Sequence, residues 1–356
     1  MNIKSLLLGS AAALAAVSGA QAADAIVAAA PEPVEYVRVC DAFGKGYFYI
    51  PGTETCLKIS GYVRFQADWS SFNRGPGIKD FDWDARTRGL VTFNAKSDTE
   101  LGALGSTITI RTWANGDGTQ NSLDLDEAFL TLGGFRAGYG YNYWDAGLSG
   151  ETDDLGSNRI NQIGYEYTAG SIKAGLFVDE LTKAYSRSAA VFNAGTYGTG
   201  GMGDNVSKNV GIEGQISGVF GPVNVALLGG YDIAAEEGAV RLMGTAAIGP
   251  GTLGAAVVYS SGVNAYYDKA EWTTAVEYAV KVTDKLTLTP GFQYWWNVNV
   301  NAAGDYTNGD AWKAGLTVDY AITSGLTGKV SVQYSESDAA GVADKWEGYF
   351  RLQRTF

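Results

Sequence analysis

A chain of 356 residues with 48 Gly, 21 Tyr and 9 Trp but only 2 Cys and no His has the turn-rich, aromatic composition of β-structure. Its formal charge of -12 excludes nucleic acid as a partner, because phosphate binding needs a basic footprint. The absence of histidine excludes a Ser-His-Asp triad, a Cys-His pair and every His-bearing zinc site. Only carboxylate-pair chemistry is left to an enzyme, so no catalytic residue, metal site or cofactor is assigned and no enzymatic activity is expected.

The N-terminus reads as an export signal. Lys4 gives a positive start, Leu6 to Val17 an apolar run, and Ala20-Gln21-Ala22 a small-x-small cleavage site, so residues 1–22 are expected to be removed. No later stretch has the roughly 18 to 20 consecutive apolar residues of a membrane-spanning helix. Export leaves a soluble periplasmic or secreted protein, or an outer-membrane barrel. It also sets an oxidising context, in which Cys40 and Cys56 are read as a structural disulfide within a periplasmic segment, 23–56.

From Leu57 the hydrophobic period is 2. Leu57, Ile59, Gly61, Val63, Phe65, Ala67 and Trp69 fall on one face; Lys58, Ser60, Tyr62, Arg64, Gln66 and Asp68 fall on the other. About 13 residues of alternation suit a tilted transmembrane strand. The pattern recurs and predicts strands at 57–69, 83–96, 105–114, 125–133, 135–140, 161–168, 171–179, 209–217, 222–231, 239–248, 252–260, 271–280, 285–295, 311–320, 326–334 and 346–356. Long polar connections (70–82, 115–124, 141–160, 180–208, 232–238, 261–270, 296–310, 335–345) alternate with tight turns. That asymmetry, with Tyr and Trp at strand ends, is the outer-membrane barrel pattern. The fold expected over 57–356 is a 16-stranded antiparallel transmembrane β-barrel in the outer membrane of a Gram-negative bacterium.

The second face of these strands is polar: Arg241 and Thr245; Glu271, Thr273 and Glu277; Thr289 and Gln293; Lys313, Thr317 and Asp319; Lys329, Ser331 and Gln333. Unpaired buried polar groups would cost several kcal/mol each, so this interior is expected to hold water. Barrels of this strand number leave an aqueous channel. Inward positions on the first three strands include Arg64, Arg86, Arg88 and Arg111, which neighbouring strands set side by side. The connection 143–158 carries Asp145, Glu151, Asp153 and Asp154. Folded inward, it would face the arginines and set a field across the narrowest point, which is how charged constrictions select ions. The alternative is that the acids are simply solvated and the arginines pair with headgroups or neighbouring carboxylates. The excess of acid suggests a mild cation preference.

The stretches "AADAIVAAAPEPVEYVRVCDAFGKGYFYIPGTETCLKISGYVRF", "EAFLTLGGFRAGYG" and the terminal "FRLQRTF" closely resemble the alphaproteobacterial porin family, the Brucella-type outer-membrane porins. The resemblance implies a homotrimer of sixteen-stranded barrels whose third external loop, here 141–160, folds inward as a constriction opposite Arg64, Arg86, Arg88 and Arg111. The terminal Phe356 resembles the signal by which such barrels are recognised for insertion, which makes the barrel-assembly machinery a partner, alongside outer-membrane lipid and lipopolysaccharide. The function expected is passive diffusion of small hydrophilic solutes and ions. The alternative is a substrate-specific channel, for example one for a sugar stacking on Trp or Tyr.

Overall fold

The computed structural model describes residues 38–73, 79–116, 123–157, 159–181, 210–301, 304–339 and 342–356; the export signal expected at 1–22 lies outside them. The described strands are β1 (Phe48–Tyr49), β2 (Cys56–Asn73), β3 (Lys79–Thr99), β4 (Gly102–Asn115), β5 (Leu123–Leu132), β6 (Phe135–Tyr141), β7 (Arg159–Ala169), β8 (Ile172–Glu180), β9 (Val210–Phe220), β10 (Val223–Asp232), β11 (Glu237–Ile248), β12 (Gly251–Ser260), β13 (Trp272–Lys281), β14 (Leu286–Trp296), β15 (Asp310–Thr323), β16 (Leu326–Ser337) and β17 (Lys345–Thr355). β2 to β17 are the sixteen strands that the alternation predicts. From β2 onward each strand pairs antiparallel with the next, and β17 returns to pair with β2, for example Phe350 opposite Ala67. The result is a closed 16-strand antiparallel barrel without an edge.

The alternation sorts side chains as it must. Ile59, Val63 and Phe65 on β2, Leu316 on β15, Val330 on β16 and Phe350 on β17 are exposed on the outer face, an apolar belt that suits lipid. The same face carries a run of touching rings, with centroids of Trp346 and Tyr334 5.0 Å apart, Tyr334 and Trp312 5.4 Å, and Trp312 and Phe292 6.2 Å. These strand-end aromatics form part of an interfacial girdle.

The closing seam runs to the last residue. Gly61 N–H donates to the Phe356 carbonyl at 3.1 Å, and Phe356 N–H donates to the Gly61 carbonyl at 3.0 Å. Gly61 is required there, because a Cβ would collide with the Leu90 carbonyl and press on the Phe356 ring. Arg354 lies opposite Val63, on the outer face. Beyond the end of β17, β1 takes the same edge of β2, with Tyr49 opposite Cys56. Cys40 and Cys56 are joined as a disulfide with Cα atoms 6.0 Å apart, buried with Tyr47 in a small cluster of their own.

Two expectations change. The polar stretch 70–82 is mostly strand, not loop: β2 and β3 stay in register out to Asn73 opposite Lys79. Ser71 Oγ accepts from Trp346 N–H at 2.9 Å on the other side. Polar alternation is no obstacle to pairing once a hairpin has passed the apolar belt, because both faces then meet water. The interior is also not wet throughout. On the inner wall of β10 to β15, Leu228, Val258, Ala275, Trp295 and Ala311 pack with Trp144 and Leu155 of the connection 142–157 and with Tyr266 and Tyr267 of the connection 261–271. One sector of the barrel therefore has an apolar core, built where two connections fold in against small wall residues.

Candidate functional site

The connection after β6 starts with a turn that its own sequence dictates. Asn142 accepts from Trp144 N–H through its side chain, capping a 3₁₀ turn, Tyr143–Asp145. Trp144 is fully buried, tilted against Tyr266 and stacked near Tyr267 at centroid distances of 6.0 and 6.5 Å. Arg241 on β11 holds this end of the connection. Its Nη1 donates to the carbonyls of Trp144 at 3.0 Å and Leu155 at 3.1 Å, and its Nη2 to that of Tyr143 at 2.9 Å. A buried guanidinium matched to backbone carbonyls is thereby satisfied and fixes both arms of the loop at one point.

The loop then crosses the lumen to the wall built by β13 to β17. Glu277 on β13 accepts the N–H groups of Ser149 and Gly150, each at 2.7 Å. Gln293 on β14 accepts Asp154 N–H at 2.6 Å and returns its amide to the Asp154 carbonyl at 3.0 Å. Thr317 on β15 accepts Glu151 N–H at 3.2 Å, and Thr152 donates to Gln333 on β16 at 2.9 Å. The wall is cut to fit: a Cβ at Gly291 would stand 2.7 Å from Thr152 Oγ1. Buried Glu277, Gln293, Thr317 and Gln333 are satisfied by the loop rather than by water, which answers the desolvation cost that their burial carries.

The four acids predicted for this loop have separate roles. Glu151 is held by the Lys329 ammonium at 2.8 Å, with Arg351 of β17 at 3.6 Å. Burial pushes its carboxyl up, but the Lys329 hydrogen bond and the charges of Lys329 and Arg351 outweigh burial and hold it below the ordinary glutamate value. Asp153 turns back on its own loop to accept Leu148 N–H at 3.1 Å. Burial, with the Glu277 charge nearby, raises its pKa. Asp154 pairs with Lys269 at 3.6 Å. Asp145 is exposed and accepts from Ser157 Oγ at 2.6 Å. None of the four touches the predicted arginines directly.

The arginines do cluster, as their strand positions require. Arg64 lies opposite Arg88 across β2 and β3, Gln66 opposite Arg86, and Leu90 opposite Arg111 across β3 and β4. Their compensation differs. Arg86 pairs with Asp68 at 3.0 Å, and Arg111 with Asp126 at 2.8 Å, an acid that Arg159 shares. Arg64 and Arg88 have no carboxylate partner among the described residues; they are held by Gln353 at 2.8 Å and the Tyr62 hydroxyl at 3.0 Å. A cavity of about 450 Å³ opens between Glu151 of the loop and Asp68, Asp84, Arg86, Glu347 and Tyr349 of the wall. Arg351, Arg241, Glu277 and Gln293 were missing from the predicted site. The last three stand in the inward polar series, which marks their face but not their partners.

The family model of a porin subfamily matches residues 24–352. Outer membrane protein IIIA of Rhizobium leguminosarum bv. viciae is 51% identical over 353 residues, covering 98% of this chain and 93% of that protein. Porin Omp2a of Brucella melitensis biotype 1 is 34% identical over 419 aligned positions, covering 100% of both. Among solved structures, the trimer form of OmpT, an outer membrane protein of Vibrio cholerae, superposes with a TM-score of 0.59 at 14% identity, covering 85% of this chain and 100% of that one. The structural likeness concerns the fold, and the sequence relatives carry the kinship. A closed barrel with a lipid-facing belt, a polar inner wall and these relatives leaves one conclusion: the chain belongs to the porin subfamily, channels of the Gram-negative outer membrane through which small hydrophilic solutes diffuse passively.

Proposed function

We propose that residues 142–157 are the size and charge filter of this channel, with Glu151, Asp145, Asp153 and Asp154 on the loop side and Arg64, Arg86, Arg88 and Arg111 on the wall side. The observation that carries the reading is the docking of Ser149 and Gly150 on Glu277 and of Asp154 on Gln293. A segment tied by backbone hydrogen bonds to the far wall narrows the water-filled path without closing it. The path left to solutes runs between the loop and the wall of β2 to β4 and β17, opposite the packed sector. Ordered charge on both sides supports charge filtering there. Most of the loop acidity is already matched by Lys329, Arg351, Lys269 and backbone amides, so any cation preference arises from acids elsewhere along the path.

The same reading includes three assembly features. The protein works as a homotrimer, the form in which a structural neighbour is known. It is exported by removal of residues 1–22, and its Cys40 to Cys56 segment lies on the periplasmic side. Phe356 serves the barrel-assembly machinery as an insertion signal, in contact with outer-membrane lipid and lipopolysaccharide.

Liposome swelling tests the filter. A chain shortened by residues 146–153 and still folded by its heat-modifiable gel mobility should admit larger sugars and saccharides than the intact chain. An unchanged size limit would remove the loop from the filter.

A further inference from the structure

Arg64 and Arg88 are an anomaly in an otherwise well-matched lumen. They stand directly opposite each other across β2 and β3, where side chains are about 5 Å apart at Cβ and like charges repel. Most basic groups around them have an acid: Arg86 has Asp68, Arg111 has Asp126, Lys329 and Arg351 share Glu151, and Lys345 has Glu347, while Lys58 and Lys96 lie against the Tyr47 ring. Arg64 and Arg88 have none among the described residues.

Neutral groups hold the two guanidiniums in place without discharging them. Arg64 Nε donates to Gln353, and its guanidinium lies 4.7 Å from the Tyr62 ring centroid. Arg88 Nη1 donates to the Tyr62 hydroxyl, and its guanidinium lies 4.0 Å from the Trp113 ring. Each arginine therefore keeps unmatched N–H donors. Both are partly exposed on the inner face. Towards the Cys56 end of the barrel, that face of β2 and β3 continues through Lys58 and Lys96 with Ser60, Thr92 and Asn94 between them, and without a carboxylate. Carboxylates return at Asp68 and Asp84, beyond Arg86, and in the other direction at Asp98, past Lys96.

Two fixed, stacked guanidinium forks with spare donors and no counter-charge match a small dianion with oxygens on both sides, because each fork takes two oxygens side by side. We propose that Arg64 and Arg88, with Arg351 as a neighbour, form a subsite for a doubly charged oxyanion, a phosphate-bearing or dicarboxylate solute crossing the pore. The subsite rests on the channel reading above but not on the loop being the size filter.

The test is single-channel current of the full-length barrel in planar bilayers at mildly alkaline pH, with inorganic phosphate, and separately succinate, added at constant ionic strength. A saturable reduction of the chloride current is expected. Phosphate alone blocking points to a phosphate-bearing solute, succinate alone to a dicarboxylate, and both to oxyanions in general; each supports the subsite. Arg64→Gln and Arg88→Gln should each weaken the half-blocking concentration roughly tenfold or more, since a charge-assisted fork is lost. Arg354→Gln, on the outer face, should leave it unchanged. No saturable block by either anion in the unmodified channel overturns the proposal, whatever the variants do, as does a block that survives the Arg64→Gln/Arg88→Gln pair in folded channels. A changed size limit in the loop-shortened chain bears on the filter alone, so the two readings fail separately.

Discussion

Glu151 and Lys329, 178 residues apart in the chain, meet across the lumen at 2.8 Å. The pair joins the tip of the loop to β16, and Arg351 on β17 completes a triad around the carboxylate. Glu151→Gln leaves Arg351 without its acid and Lys329 with Asp319 alone, at 3.4 Å. A unit charge at about 4 Å in water is worth ~1 kcal/mol, so the permeability ratio should move towards anions by up to roughly fivefold. Reversal potentials in a salt gradient measure it; a shift towards cations would contradict the assignment.

The pH dependence follows from the same carboxylate. Its pKa in the folded channel is below the ordinary 4.5, so its contribution to docking is complete above that value and is lost as pH falls through the depressed one. Asp153 has the opposite sign. Raised above 3.8, it favours the docked loop when protonated, and that contribution is lost as pH rises through its raised value. The Glu151 step in conductance should therefore fall below the ordinary glutamate value, and Glu151→Gln should blunt it. An acid step that survives this substitution unchanged would point to other groups.

At the seam, deleting Phe356 removes both backbone bonds to Gly61, each worth roughly 1 kcal/mol net, together with an aromatic contact at the barrel rim. The fraction of chain reaching the heat-modifiable, folded form should fall. Normal assembly would show that the seam closes without its last residue.

The disulfide should matter locally. Closing a loop of this size, with Cys40 and Cys56 separated by 16 residues, contributes about 3 kcal/mol on the chain-entropy model. Cys40→Ser/Cys56→Ser should speed hydrogen exchange around Tyr47 and β1 while the barrel keeps its conductance. Loss of the barrel itself would make the segment a folding requirement.

What the sequence made legible is what periodicity encodes. The alternation from Leu57 and in the terminal "WEGYFRLQRTF" gave sixteen strands and the outward and inward faces, because one buried or lipid-facing side fixes the register of every residue. Arg64, Arg86, Arg88 and Arg111 came together for the same reason. Partners lying 86 to 128 residues apart were not legible. Nothing local marks Arg241 as the clamp on Tyr143, Trp144 and Leu155, or Glu277 as the acceptor for Ser149 and Gly150. Nor does the alternation separate a polar wall that faces water from one that a loop will cover, so the apolar core around Trp144, Tyr266 and Tyr267 went unforeseen. The small wall residue Gly291 was a usable sign, since an inward glycine marks a place where another chain segment comes close.

The central claim is that the loop held by Glu277 and Gln293 limits the path. Single-channel conductance of the Glu277→Ala/Gln293→Ala double variant tests it most directly, because the loop keeps its sequence and loses its main tethers. The account predicts a larger and noisier conductance than the unmodified channel. An unchanged, equally quiet conductance from folded channels would contradict it.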